Sequence, residues 1–199
     1  MPRLRDSHGF SLIELLIVLV ITTGAAAIVV PSTSTLFQHL RLSGDAHALS
    51  NSVSLVKMRA AAEFTRVRLY ADLANRTYRI ERYQKVPPAW VPEGGSGMLS
   101  SRVNMSTGGL ATPPPNTQAA ILQAPPCLNI ALAPIASTAC IVFNSRGVPI
   151  DTATVAGTPT AADALYVTDG TAVYAVTVAA TGLVRLWKSG PTAAVWIRQ

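Results

Sequence analysis

One run of residues constrains this chain more than any other. Phe10 to Val30 reads FSLIELLIVLVITTGAAAIVV, and Glu14 is its single charge. At 1.5 Å rise per residue, about 20 apolar residues in a helix cross a bilayer core. The run is long enough to span. Arg3 and Arg5 precede it, against Asp6. Positive-inside bias therefore keeps the N-terminus cytoplasmic and puts the C-terminal part outside the inner membrane. An acid at mid-membrane costs roughly 2.5–3.5 kcal/mol on insertion scales and ordinarily has a partner. No Lys or Arg lies within the run to supply one.

Pro31 follows, and a proline inside a helix removes a hydrogen bond and clashes with the preceding turn. It predicts a kink or a local melt. Helical periodicity then resumes. Leu42, Ala46, Leu49, Val53, Val56 and Ala60 advance by alternating steps of four and three, which is one apolar stripe. Ser43, Asp45, His47, Asn51, Ser54 and Lys57 fall on other faces. The pattern predicts a helix from about Phe10 to about Glu63, roughly 80 Å long. Its second half needs a surface to pack on, and the rest of the chain is the candidate.

Beyond Glu63 the period becomes two. In 65–73, Val67, Leu69 and Ala71 point one way, and Arg66, Arg68 and Tyr70 the other. Asn75-Arg76 turns the chain, and 77–83 is the return strand of a hairpin. Residues 86–126 are rich in Pro, Gly, Ser and Thr and predict a long loop, with one strand near 102–105. Glu93-Gly94-Gly95-Ser96-Gly97 lacks the lysine and the strand–helix setting of a phosphate loop and reads as a flexible segment. Later strands are expected at 140–144, 164–168, 172–179 and 183–188, the last two joined through Thr181-Gly182. The expected organisation is a leader at 1–9, a transmembrane segment at 10–30, its amphipathic continuation at 31–63 and a β-rich domain at 64–199.

Two cysteines, Cys127 and Cys140, match no CxxC or zinc spacing. In a domain outside the cytoplasm they can form a disulfide, typically contributing ~2–4 kcal/mol. Two buried free thiols are the other reading.

The segment Gly9-Phe10-Ser11-Leu12-Ile13-Glu14-Leu15-Leu16, behind a short basic leader, resembles the prepilin leader of type IV pilins and type II secretion pseudopilins. The resemblance implies cleavage after Gly9 by prepilin peptidase and methylation of the new amino group of Phe10. Glu14 becomes the fifth mature residue, and its implied role is to pair with a neighbouring subunit's Phe10 amine during assembly. A secretory signal competes, because Gly24-Ala25-Ala26-Ala27 looks like a small-residue cleavage site. The apolar run continues past it, however, and an internal acid is unusual in a signal. An uncleaved anchor explains the span but neither Gly9-Phe10 nor Glu14.

Three later patches are similar to the GspH/FimT group of minor pseudopilins and minor pilins: Leu49 to Leu73, Ile141 to Pro149, and Val173 to Lys188. The implied fold is α+β and pilin-like, with a long N-terminal helix packed on an antiparallel β domain. The implied partners are prepilin peptidase, other pilin or pseudopilin subunits and inner-membrane lipid. The implied function is initiating or capping a type IV pilus or a type II secretion pseudopilus. Some FimT-like members bind DNA through a Gly-Arg-x-Arg motif. Here the matching stretch is Gly182-Leu183-Val184-Arg185, with leucine at the first arginine. Arg185 and Lys188, with Arg66 and Arg68 as a second basic face, are the DNA-binding candidates. Fewer cations mean fewer phosphate contacts, so DNA is the secondary reading.

No catalytic site is expected. The three histidines, His8, His39 and His47, lie in the leader and on the helix. That leaves no Ser-His-Asp or Cys-His arrangement in the β domain. No metal-ligand spacing is evident and no cofactor is expected. A net charge of +6 fits nucleic acid, anionic lipid or no specific partner. An unrelated exported binding domain behind a signal or anchor remains the third class of function.

Overall fold

The computed structural model describes residues 11–151, 157–161 and 163–199, with side chains described except at 27–36. Gly9, Phe10 and the leader lie outside these residues. The chain divides into two units, one ending at His39 and the other Leu40–Gln199.

The first unit is helical. α1 runs Leu12–Ala62, and its helical backbone is assigned without a break through Pro31, so no local melt forms there. Leu12 to Ile21 are solvent-exposed apolar side chains, with Glu14 among them. Thr22 and Thr23 would be polar intrusions, but their hydroxyls donate to the Val18 and Leu19 carbonyls at 2.9 and 2.8 Å. Such back-bonding lets threonine sit in an apolar helix with its donor satisfied. Among the described residues no helix is long and apolar enough to cross a membrane. Of the predicted span at 10–30, Phe10 lies outside the described residues and 27–30 are described as helix without their side chains.

The second unit is α+β. The predicted stripe on α1 is its buried face: Leu42 is 1% exposed, and Ala46, Leu49, Val53, Val56 and Ala60 are 0%. It packs on two antiparallel four-stranded sheets. The first contains β1 (Val67–Asp72), β2 (Thr77–Lys85), β3 (Pro88–Met98) and β4 (Thr138–Phe143), in the order β3-β2-β1-β4. A two-stranded hairpin follows, β5 (Ile150–Asp151) with β6 (Thr158–Pro159). The second sheet contains β7 (Asp163–Thr168), β8 (Val173–Val178), β9 (Val184–Ser189) and β10 (Ile197–Arg198), in the order β10-β9-β8-β7. One core joins the helix stripe to Val67, Leu69, Ile141 and Phe143 of the first sheet and to Leu165, Val167, Val176 and Leu186 of the second. Alternation along each strand puts every second side chain there.

Two expectations are corrected. Residues 88–98 are a strand, not part of a long loop, and Glu93 to Gly97 lie within it. β3 is an edge strand, where Pro88 and Pro92 break no ladder on the open side. Gly97 is required by contact: a Cβ there would sit 2.4 Å from the Tyr78 ring. The expected strand at 102–105 reduces to one bridge, Asn104 with Thr168, whose amides each donate to the other's carbonyl at 2.8 and 2.9 Å.

Both faces of β1 are buried. Residues 125–135 cover the far side of the first sheet, where Tyr70, Cys127, Cys140, Val142 and Ile150 form a second apolar cluster. Cys127 and Cys140 are bonded as a disulfide, fixing that cover to β4. Residues 110–124 and the C-terminus cover the second sheet in the same way. There the Gln123 side chain stands in for a strand: its Oε1 accepts from the Tyr166 amide and its Nε2 donates to the Tyr166 carbonyl, both at 2.9 Å. That satisfies part of the open edge of β7.

Candidate functional site

Three places in the described chain carry functional groups. The first is the N-terminal helix. Glu14 lies in the first turn of α1 with its side chain exposed, and no ion pair to it forms among the described residues.

The second is the set of basic residues. Arg68 is 4% exposed and stands opposite Glu81 in the β1–β2 register. Its Nε donates to Glu81 Oε2 at 2.7 Å and its Nη1 to the Leu128 carbonyl at 2.7 Å. The guanidinium lies 4.1 Å from the Trp90 ring centroid. Burial is the main influence on it and pulls its pKa below the ordinary value, against the opposing pull of Glu81. Arg68 is thus an internal cation, not part of a basic surface. Arg66 is half-buried, 5.7 Å from the Tyr83 ring.

Arg185 and Lys188 sit on β9 at positions of opposite parity, so they face opposite sides of the sheet. Arg185 is opposite Thr177, and its Nε is buried without a partner. Lys188 is opposite Tyr174, with Nζ 5.7 Å from that ring. The four basic candidates do not converge on one patch.

Gly182 is placed by packing. Lys57 of α1 donates from Nζ to the Gly182 carbonyl at 2.9 Å. Gly182 has φ +74°, and a Cβ on it would lie 2.2 Å from the Gly147 carbonyl oxygen. Gly147, with φ +70°, has the Lys57 stem 3.2 Å from its own Cβ position. Here the three sequence patches meet: the helix with Lys57, the turn 144–148 and the β8–β9 turn. Asn144 shapes the middle one, its Oδ1 accepting from the Arg146 and Val148 amides at 2.9 and 3.1 Å. Nothing in the spacing of these residues along the chain foretells that contact.

The third place was silent in the sequence. A cavity of about 340 Å³ is lined by Pro125, Pro126, Cys140, Val142, Ile150, Asp151, Thr160 and Asp163. Asp163 opens β7 and is 5% exposed. Desolvation, with the charge of Asp151 second, raises its pKa to about 7. The folded state therefore holds a proton that the unfolded chain releases above pH about 4. That proton stabilises the fold below about pH 4, and its contribution is lost as pH rises to about 7. Asp163→Asn should flatten this dependence and be more stable than wild type at pH 8, by on the order of 2–4 kcal/mol. Urea unfolding at pH 5 and pH 8 measures it. Equal pH dependence in the two proteins would contradict the assignment.

Among the described residues no group of three or more His, Cys, Asp or Glu side chains is placed to hold a metal. Residues 4–30 match the family described as the prokaryotic N-terminal methylation motif. The N-terminus therefore carries a prepilin-type methylation motif. Among solved structures, the chain is similar to the minor pseudopilin EpsH from the type 2 secretion system of Vibrio cholerae. The identity is 14%, the match covers 77% of this chain and 99% of that one, and the TM-score is 0.47. No curated protein matches the chain in sequence.

Proposed function

We propose that this protein is a minor subunit of a pilus-like filament, a minor pilin or pseudopilin, that initiates or caps a type IV pilus or a type II secretion pseudopilus. The observation that carries the reading is the methylation motif at 4–30, joined through one helix to an α+β domain. Prepilin peptidase cuts after Gly9 and methylates Phe10. The apolar run anchors the subunit in the inner membrane with the β domain on the periplasmic side. The role is assembly, not catalysis.

Glu14 supplies the docking force. Cleavage creates one cation at the edge of the apolar run, the Phe10 amine, and an acid in lipid gains most from a cationic partner. Glu14 of one subunit meets that amine on the next. Glu14→Leu should therefore be processed normally yet be recovered with sheared filaments or cross-linked neighbours at least tenfold less than wild type. Undiminished incorporation of the leucine variant would sink this account of assembly.

A further inference from the structure

We propose that two adjoining hollows at the C-terminal end of α1 bind an extended peptide of a partner protein, one with an acidic side chain beside apolar ones. The proposal stands on the β domain alone and does not require the filament reading. The first hollow, about 250 Å³, lies where α1 ends beside β1, β2 and the turn 144–148, with Phe64, Tyr83 and Lys85 in its wall. The second, about 210 Å³, is lined by Tyr83, Trp90 and the loop 128–132. Arg66 and Tyr83 belong to both walls, so the two hollows adjoin.

The case starts from Phe64. Its φ is +50°, in the left-handed region where a helix ordinarily ends on glycine. Its ring is nevertheless 80% exposed. A bulky side chain thus holds a strained backbone conformation and gains little packing in return, which points to a role in contact with something else. The second hollow repeats the pattern. Leu132 has φ +60° and is 42% exposed. The walls are fixed before a ligand arrives. Tyr83 packs edge-on against Trp90, with ring centroids 5.3 Å apart, and its carbonyl accepts from the Thr65 hydroxyl at 3.0 Å. Buried Arg68 joins Trp90 to the Leu128 carbonyl. Asn129 closes the loop: its amide donates to the Ala133 carbonyl and its Oδ1 accepts from the Ala133 amide, both at 2.9 Å. A preformed surface of this kind lowers the ordering cost of binding.

The chemistry of the walls selects the occupant. No Asp or Glu is among the described lining residues. Glu63, next to Phe64 in the chain, is paired with Arg82 at 3.2 Å. Arg66 is engaged with the Tyr83 ring, so the pairing cation is Lys85, which is exposed and forms no ion pair among the described residues. One such cation suits a carboxylate, whereas nucleic-acid affinity rests on several phosphate contacts. Each hollow is smaller than the about 300–1,000 Å³ of small-molecule sites and suits a single apolar side chain. Adjoining hollows of that size read an extended peptide side chain by side chain. An anionic membrane would suit Phe64 and Lys85 but not the concave part formed by Tyr83, Trp90 and the loop.

The test uses the full chain in phosphatidylcholine nanodiscs as bait for a phage library of random linear dodecapeptides, with empty discs for counter-selection. The expected result is enrichment, relative to the starting library, of clones that place Asp or Glu beside an aromatic or large aliphatic residue. Fluorescence anisotropy of the synthetic peptides then compares variants. Phe64→Gly should weaken binding about tenfold without lowering Tm, because glycine suits the left-handed position. Lys85→Glu should weaken it about tenfold or more by charge reversal and leave Tm unchanged. No enrichment over empty discs, enriched clones without acids, or equal binding by wild type and the two folded variants would overturn the proposal. Binding of phosphatidylglycerol vesicles or of single-stranded DNA, lost in the same variants with no peptide selected, would assign the surface to lipid or nucleic acid and overturn it too.

Discussion

Gly182→Ala is expected to destabilise the β domain by about 3–5 kcal/mol, through left-handed strain and a clash with backbone together. The added Cβ would lie 2.2 Å from the Gly147 carbonyl oxygen, at φ +74°. Neither group is the end of a flexible side chain, so relief requires the two turns to part. Parting them also breaks the Lys57 bond to the Gly182 carbonyl, and with it a tie between helix and sheet. Gly170→Ala is the control. Its φ is +88°, but nothing lies within 4 Å of the new methyl, so only the backbone cost of about 1 kcal/mol applies. Urea unfolding of the two variants measures the difference. Equal losses would mean that the close approach to Gly147 does not hold the fold.

Arg68→Met is expected to cost about 3–5 kcal/mol, because it strands Glu81 in the interior. Glu81 is 3% exposed, and Arg79 alone would remain to it, from a partly exposed position. The double replacement Arg68→Met with Glu81→Leu should recover most of that loss, since a packed apolar pair does not require desolvated charges. The Leu128 carbonyl loses a donor in both variants, so it does not distinguish them. A double variant as unstable as the single one would show that the pair itself, not the stranded acid, carries the energy.

The helix was legible because its signal is local. Six apolar positions at steps of three and four cannot be read as a strand, and all six are buried. In the second sheet β7, β8 and β9 were legible from short runs ended by turns, whereas the two-residue β10 was not expected. Nor was β3. Its Pro88, Pro92, Gly94 and Gly97 are loop residues by composition, and an edge position with a ring packed on Gly97 makes them a strand. The inward turn of Arg68 was hidden as well. Alternation gave its direction correctly, but only the cover formed by 125–135 makes that direction buried. The candidate sites divide along the same line. The motif at 4–30 is contiguous and readable. The Asp151–Asp163 cavity and the Lys57–Gly147–Gly182 contact exist only once distant segments meet.

The most direct test of the filament account is the intact mass and N-terminal analysis of membrane-extracted protein, from cells with and without prepilin peptidase. The account predicts a chain beginning at N-methylated Phe10 when the peptidase is present, and an uncut Met1 when it is absent. A chain beginning near Ala27 or Ile28 in both strains, or an uncut chain in both, would contradict it and leave a secreted or anchored binding domain.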